Sequence, residues 1–166
     1  MTKPLTIFGI DPGFDRTGWG VISQIGSDPT WIAHGCIQTS KTDDFSARLV
    51  EVRDGLAKLI AAHAPDCVAV EQLFFQSNAK TAIKVGMARG IVLLAIADAG
   101  IPLVELTPNQ VKQGIAGWGA AGKDQVASMV MRFLKLKEAP TPDDAADALA
   151  IAIVGGMLYR NSHASR

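Results

Sequence analysis

The sequence has no net charge. Sixteen Lys and Arg offset sixteen Asp and Glu, which excludes a whole-molecule attraction to polyanions. Cysteine is scarce. Cys36 and Cys67 are the two present, in the strand-like settings Gly35-Cys36-Ile37 and Asp66-Cys67-Val68. Their spacing excludes a disulfide framework or zinc site and leaves buried free thiols as the expectation. No apolar run reaches the roughly 20 residues that a bilayer span requires. Gly90 to Ala97 and Ala148 to Val154 are the strongest candidates, and both are too short. Met1-Thr2-Lys3-Pro4 leads straight into a strand pattern without an apolar leader, so a cytoplasmic protein is expected. His34, His63 and His163 are scattered, and no convincing Ser/His or Cys/His arrangement accompanies them. There is no internal repeat, linker or low-complexity segment.

What is present is an ordered composition of 48% hydrophobic and 19% charged residues over 166 positions, suited to one domain. We expect that domain to span 1–158, with 159–166 as a flexible tail. Leu5 to Asp11 reads as a buried strand ending at the turn Asp-Pro-Gly. Gly18 to Gln24 and Trp31 to Thr39 follow as strands around the turn Gly26 to Pro29, which suggests an antiparallel meander. Ser46 to His63 switches to a helical period, with Leu49, Val52, Leu56, Leu59 and Ile60 on one face. Asp66 to Glu71 is an apolar strand of the parallel-sheet kind.

Asn78 to Ala99 is a long helix in which Ala82, Gly86 and Gly90 recur at spacing four, permitting close approach to the sheet or to a second copy. Ile101 to Leu106 is a fifth strand, and Thr107-Pro108 opens a helix as N-cap and first helical residue. Lys123 to Leu136 and Asp143 to about Leu158 complete the pattern as further helices. The order predicts an α/β fold, a mixed five-stranded sheet with helices on both faces.

Four acids stand where acids are out of place. Asp11 and Glu71 end apolar strands, and Asp144 and Asp147 ride on a helix of Ala, Leu and Ile. A carboxylate at a core edge is costly unless paired or bound to a cation. Neighbouring parallel strands end at a common edge, and helix positions three apart share a face, so the four can converge. An all-oxygen donor set suits Mg²⁺ or Mn²⁺ rather than zinc, and two such ions suit phosphodiester hydrolysis. Each acid also has an ordinary explanation. Asp143 and Asp144 fit the first turn of a helix, and Asp11 before Pro12-Gly13 forms turns well. Asp143, four residues before Asp147, faces the same way as Asp144 does by its spacing of three. From Gln72 to Pro142 there are eight basic residues against four acidic ones, a local surplus beside the candidate site.

Several motifs occur together in order: Ile7-Phe8-Gly9-Ile10-Asp11-Pro12-Gly13, Val70-Glu71-Gln72, Ala88-Arg89-Gly90, and Asp144-Ala145-Ala146-Asp147-Ala148-Leu149-Ala150-Ile151-Ala152. Together they resemble the RuvC family of bacterial Holliday junction resolvases along nearly the whole chain. The resemblance implies an RNase H-like fold and a homodimer that nicks four-way DNA junctions symmetrically in recombination and repair. It implies two Mg²⁺ per site, with Mn²⁺ a plausible substitute, held by Asp11, Glu71, Asp144 and Asp147. The family's Asp-Ala-Ala-Asp spacing selects Asp144 over Asp143. It further implies base stacking by Phe74, with Phe75 an adjacent alternative, and contacts to DNA from Lys112 and Lys123. Lys84 and Arg89 are added as candidate backbone contacts, and RuvA and RuvB as branch-migration partners. A rival resemblance, of Asp11-Pro12-Gly13 and Thr17-Gly18 to the phosphate-binding hairpin of sugar kinases and actin, lacks the second hairpin that fold requires.

Overall fold

A computed structural model describes residues 3–72 and 79–164. Hydrophobic alternation in the first third of the chain forms three antiparallel strands: β1 (Leu5–Asp11), β2 (Arg16–Ile25) and β3 (Asp28–Gln38). The β2–β3 turn is tighter than the sequence suggests. Ile25 pairs with Asp28, so Gly26 at φ +61° and Ser27 close the hairpin, and Pro29 lies in the strand. Proline is tolerated there because β3 is an edge strand.

Helix α1 (Phe45–His63) then crosses to β4 (Cys67–Glu71), which pairs in parallel with β1. Helix α2 (Ala79–Asp98) leads to β5 (Leu103–Leu106), parallel to β4. The sheet order is β3-β2-β1-β4-β5, the expected mixed five-stranded arrangement. Helices α3 (Pro108–Ala116), α4 (Lys123–Leu134) and α5 (Asp143–Ala164) complete the chain. Thr107 caps α3 as expected: its Oγ1 accepts from Gln110 N, and Gln110 Oε1 accepts from Thr107 N. Helix α5 runs past the predicted end near Leu158, through residues read as tail, since no Gly or Pro follows Gly156 to stop it.

The two sheet faces carry separate cores. Phe8, Ile10, Val68 and Val70 meet Val52, Leu56 and Ile60 of α1 and Val92 and Ile96 of α2. Ile7, Cys67 and Ala69 face the opposite way, toward Leu149, Ile153 and the residues of α3 and α4. Cys36 is partly buried and Cys67 fully buried, and both thiols are free. Helix α5 lies closest to the sheet because glycine removes the obstacle: a Cβ on Gly9 would sit 2.1 Å from Ala148 O. Among the described residues no helix is long and apolar enough to cross a membrane.

Candidate active site

Strand alternation assigns the strand acids to a face. Successive side chains point to opposite sides, so Asp11 shares the side of Ile7 and Gly9, and Glu71 the side of Cys67 and Ala69. Both therefore face α5. Ile10 pairs with Val70 in the parallel ladder, and one residue further each strand ends in its carboxylate. Asp11 in turn pairs with Gly18 of β2. Above Gly18 lies the first turn of α5, so close that a Cβ there would meet Asp144 O at 2.1 Å. Asp147, three residues on, rides the same helix over the ends of β1 and β4.

Crowding of these acids shows in their protonation. Burial pushes Asp11 up to about 8, and the neighbouring charges of Glu71, Asp147 and Asp144 add to the effect. Burial, then Asp147, raises Glu71 to about 7. Asp147 is also raised by burial, although Lys123 pulls it back.

Three bases attend the cluster. Lys123 Nζ stands 3.3 Å from Asp147 Oδ2 and 3.5 Å from Asp143 Oδ2. Lys112 lines the same cavity of about 200 Å³ as Glu71, Lys123 and Asp147, and its charge lowers the Glu71 pKa. Arg16 Nε approaches Asp144 Oδ2 to 2.8 Å, yet that oxygen is buried without a hydrogen bond because the approach is misaligned. The loop between Asp11 and Arg16 is held from behind by Arg48. This buried arginine donates to Phe14 O at 3.2 Å and Thr39 Oγ1 at 2.9 Å, and pairs with Asp15.

The donor set fits a hard divalent cation: four carboxylates, two with strongly raised pKa, and one buried oxygen lacking a hydrogen bond. As they stand, each helix acid is engaged by a protein cation, and among the described residues no three acids are close enough to enclose an ion.

The structure thus brings together Asp11, Glu71, Asp144 and Asp147, with Lys112 and Lys123 beside them. Asp143 remains largely exposed and shares Lys123 with Asp147. Lys84 lies 5.7 Å from the ring centroids of both Phe14 and Phe45. Arg89 pairs with Glu105, linking α2 to β5. Phe74 and Phe75 fall outside the described residues. Arg16 and Arg48 are the functional candidates that sequence reasoning missed. Arg48 had a readable signal, since 48, 52, 56 and 60 form one buried stripe on α1. Arg16 had none, because only the α5–β2 contact reveals its partner.

Comparison with known proteins adds a family. The family model for crossover junction endodeoxyribonuclease RuvC matches residues 7–155. The RuvC protein of Desulforamulus reducens is 50% identical over 149 residues, 90% of this chain and 91% of its own length. That of Petrotoga mobilis is 45% identical, over 95% of this chain and 96% of its own length. The structure of Thermus thermophilus RuvC in complex with a Holliday junction substrate superposes with a TM-score of 0.89 at 37% identity, covering 95% of this chain and 96% of that one. With the sheet order and these matches in agreement, the chain belongs to the RuvC family of crossover junction endodeoxyribonucleases.

Proposed function

We propose that this chain resolves Holliday junctions by paired, symmetric nicks, hydrolysing one phosphodiester in each of two strands during recombination and repair. One observation supports the reading: Glu71, Asp144 and Asp147 lie near enough to Asp11 for their charges to raise its pKa, with Lys112 and Lys123 beside them. Asp11, Glu71, Asp144 and Asp147 would hold two Mg²⁺, for which Mn²⁺ can substitute. Such ions, when bound, supply an activated water and charge neutralisation at the scissile phosphate. Lys112 and Lys123 draw the DNA backbone toward the acids. Pro108, Val111 and Val126 make the cavity wall apolar, which strengthens each charge interaction within it. Phe74 is assigned to stacking on bases at the branch point, as the family resemblance implies, and Lys84 and Arg89 to flanking phosphates.

Symmetric nicking calls for two sites, and α2 offers the surface for a homodimer. Ile83, Met87 and Leu94 are exposed along one side of it, 60%, 52% and 49% respectively. Among the described residues nothing lies within 4 Å of a would-be Cβ on Gly86 or Gly90. Their small size suits close approach by a second copy. A cytoplasmic location and RuvA and RuvB as branch-migration partners are part of this reading, as the family resemblance implies.

End-labelled four-way junctions incubated with the protein and Mg²⁺ test the proposal. Paired nicks at symmetric positions are expected. Binding without cutting, or cutting of linear duplex at the same rate, would refute it.

A further inference from the structure

We propose that Arg16 is a place-holding counter-ion: it neutralises Asp144 while the acid cluster is free of divalent cations and yields that carboxylate when one arrives. The inference rests on the nuclease reading for the existence of a cation site, and it concerns what occupies that site beforehand.

The case comes from comparing Arg16, at the start of β2, with Arg48 of α1, whose side chain reaches the loop just before it. Arg48 has the form of a fixed strut, with a side chain 8% exposed and well-formed bonds to a carbonyl and a hydroxyl on two segments, plus the Asp15 carboxylate. Arg16 differs in each respect. Its side chain is 42% exposed, and its Nε is near Asp144 Oδ2 without the alignment of a hydrogen bond. Its other side-chain partner among the described residues is the Cys36 thiol, a weak acceptor. An ion pair that is close, misaligned and half open to water holds its partner loosely.

Asp144 nevertheless needs a positive neighbour. Its Oδ2 is buried, and Asp11 beside it lies among like charges. A long, flexible cation anchored on β2 meets that need and can swing into solvent. Lys123 stands in the same relation to Asp147, at 3.3 Å with a side chain 75% exposed. Among the described residues, where these pairings are made, the acids do not close around an ion. Loading of a cation is therefore an exchange of charges, and Arg16 sets part of its threshold.

The test reads cation binding alone. Mn²⁺ is titrated into the full chain without DNA, with free Mn²⁺ followed by electron paramagnetic resonance, for the parental protein and for Arg16→Gln, Arg16→Lys and each change in an Asp144→Asn background. Arg16→Gln should bind Mn²⁺ about two- to fivefold more tightly, the factor by which an exposed ion pair competes. Arg16→Lys should fall between the two, and Asp144→Asn should abolish the difference. Thermal unfolding in EDTA confirms that each variant is folded. Unchanged or weaker Mn²⁺ binding by folded Arg16→Gln would overturn the proposal and make Arg16 a strut like Arg48. If Arg16→Gln unfolds, Arg16→Lys carries the test, and parental affinity in it counts against exchange. Tighter Mn²⁺ binding in a chain that cuts no junction would leave the exchange standing while the nuclease reading fell.

Discussion

Replacing Asp11 with Asn should stabilise the metal-free protein, and by more as the pH rises. The carboxyl titrates at 3.8 in an ordinary setting and at about 8 in the folded chain, because burial and three neighbouring acids oppose its charge. Between those values the folded state holds a proton that the unfolded state has released. Stability therefore declines as pH increases across that window, and the decline is complete above pH 8. Four pH units at about 1.4 kcal/mol each set a ceiling of about 6 kcal/mol. Relaxation of the site on ionisation reduces this, and we expect about 2–3 kcal/mol, within the usual range for a single substitution. For a chain of this size that raises Tm by about 5–10 °C. Thermal unfolding in EDTA at intervals from pH 4 to pH 9 measures it. Parental and D11N curves should coincide near pH 4, diverge to pH 8 and run parallel beyond. With saturating Mg²⁺ the order should reverse, since D11N lacks a ligand that the cation stabilises. A gap that fails to widen with pH, or parental stability that rises from pH 5 to 8, would refute the account of the acid cluster.

Other substitutions probe other parts. Asp147→Asn should keep junction binding, measured by gel shift in Ca²⁺, while cleavage in Mg²⁺ falls by roughly 10²–10³, the cost of one electrostatic group at developing charge. Gly18→Ala forces a methyl group against Asp144 O, 2.1 Å away. Displacing backbone costs about 1–3 kcal/mol in unfolding experiments, and a shift of about 1 Å at the acids costs cleavage roughly a hundredfold. Ile83→Asp on the exposed side of α2 should yield monomers by light scattering and abolish paired nicking, and its Tm should not vary with protein concentration, whereas the parental Tm should rise with it.

The sequence carried the architecture because hydrophobic periodicity is local. The meander, the two parallel strands and the five helices each announce themselves within a dozen residues, and Asp11 and Glu71 were visible as acids ending apolar runs. Errors gathered where a nonlocal condition governs. Pro29 reads as turn until β3 is known to be an edge strand. The stripe on α1 was drawn through Leu49, yet Arg48 is the residue buried with Val52, Leu56 and Ile60. An arginine is admitted to that stripe because Phe14 O, Asp15 and Thr39 await it, and they come from a different part of the chain. The pairing of Arg16 with Asp144 spans most of the sequence and leaves no trace in spacing.

Helix α5 comes last in chain order and carries half of the acid set, docked across strands laid down at the start. On the proposed assignment, a chain cut short before Asp144 would keep Asp11 and Glu71 without the helix acids that complete the cation site, and would lack the means to break DNA.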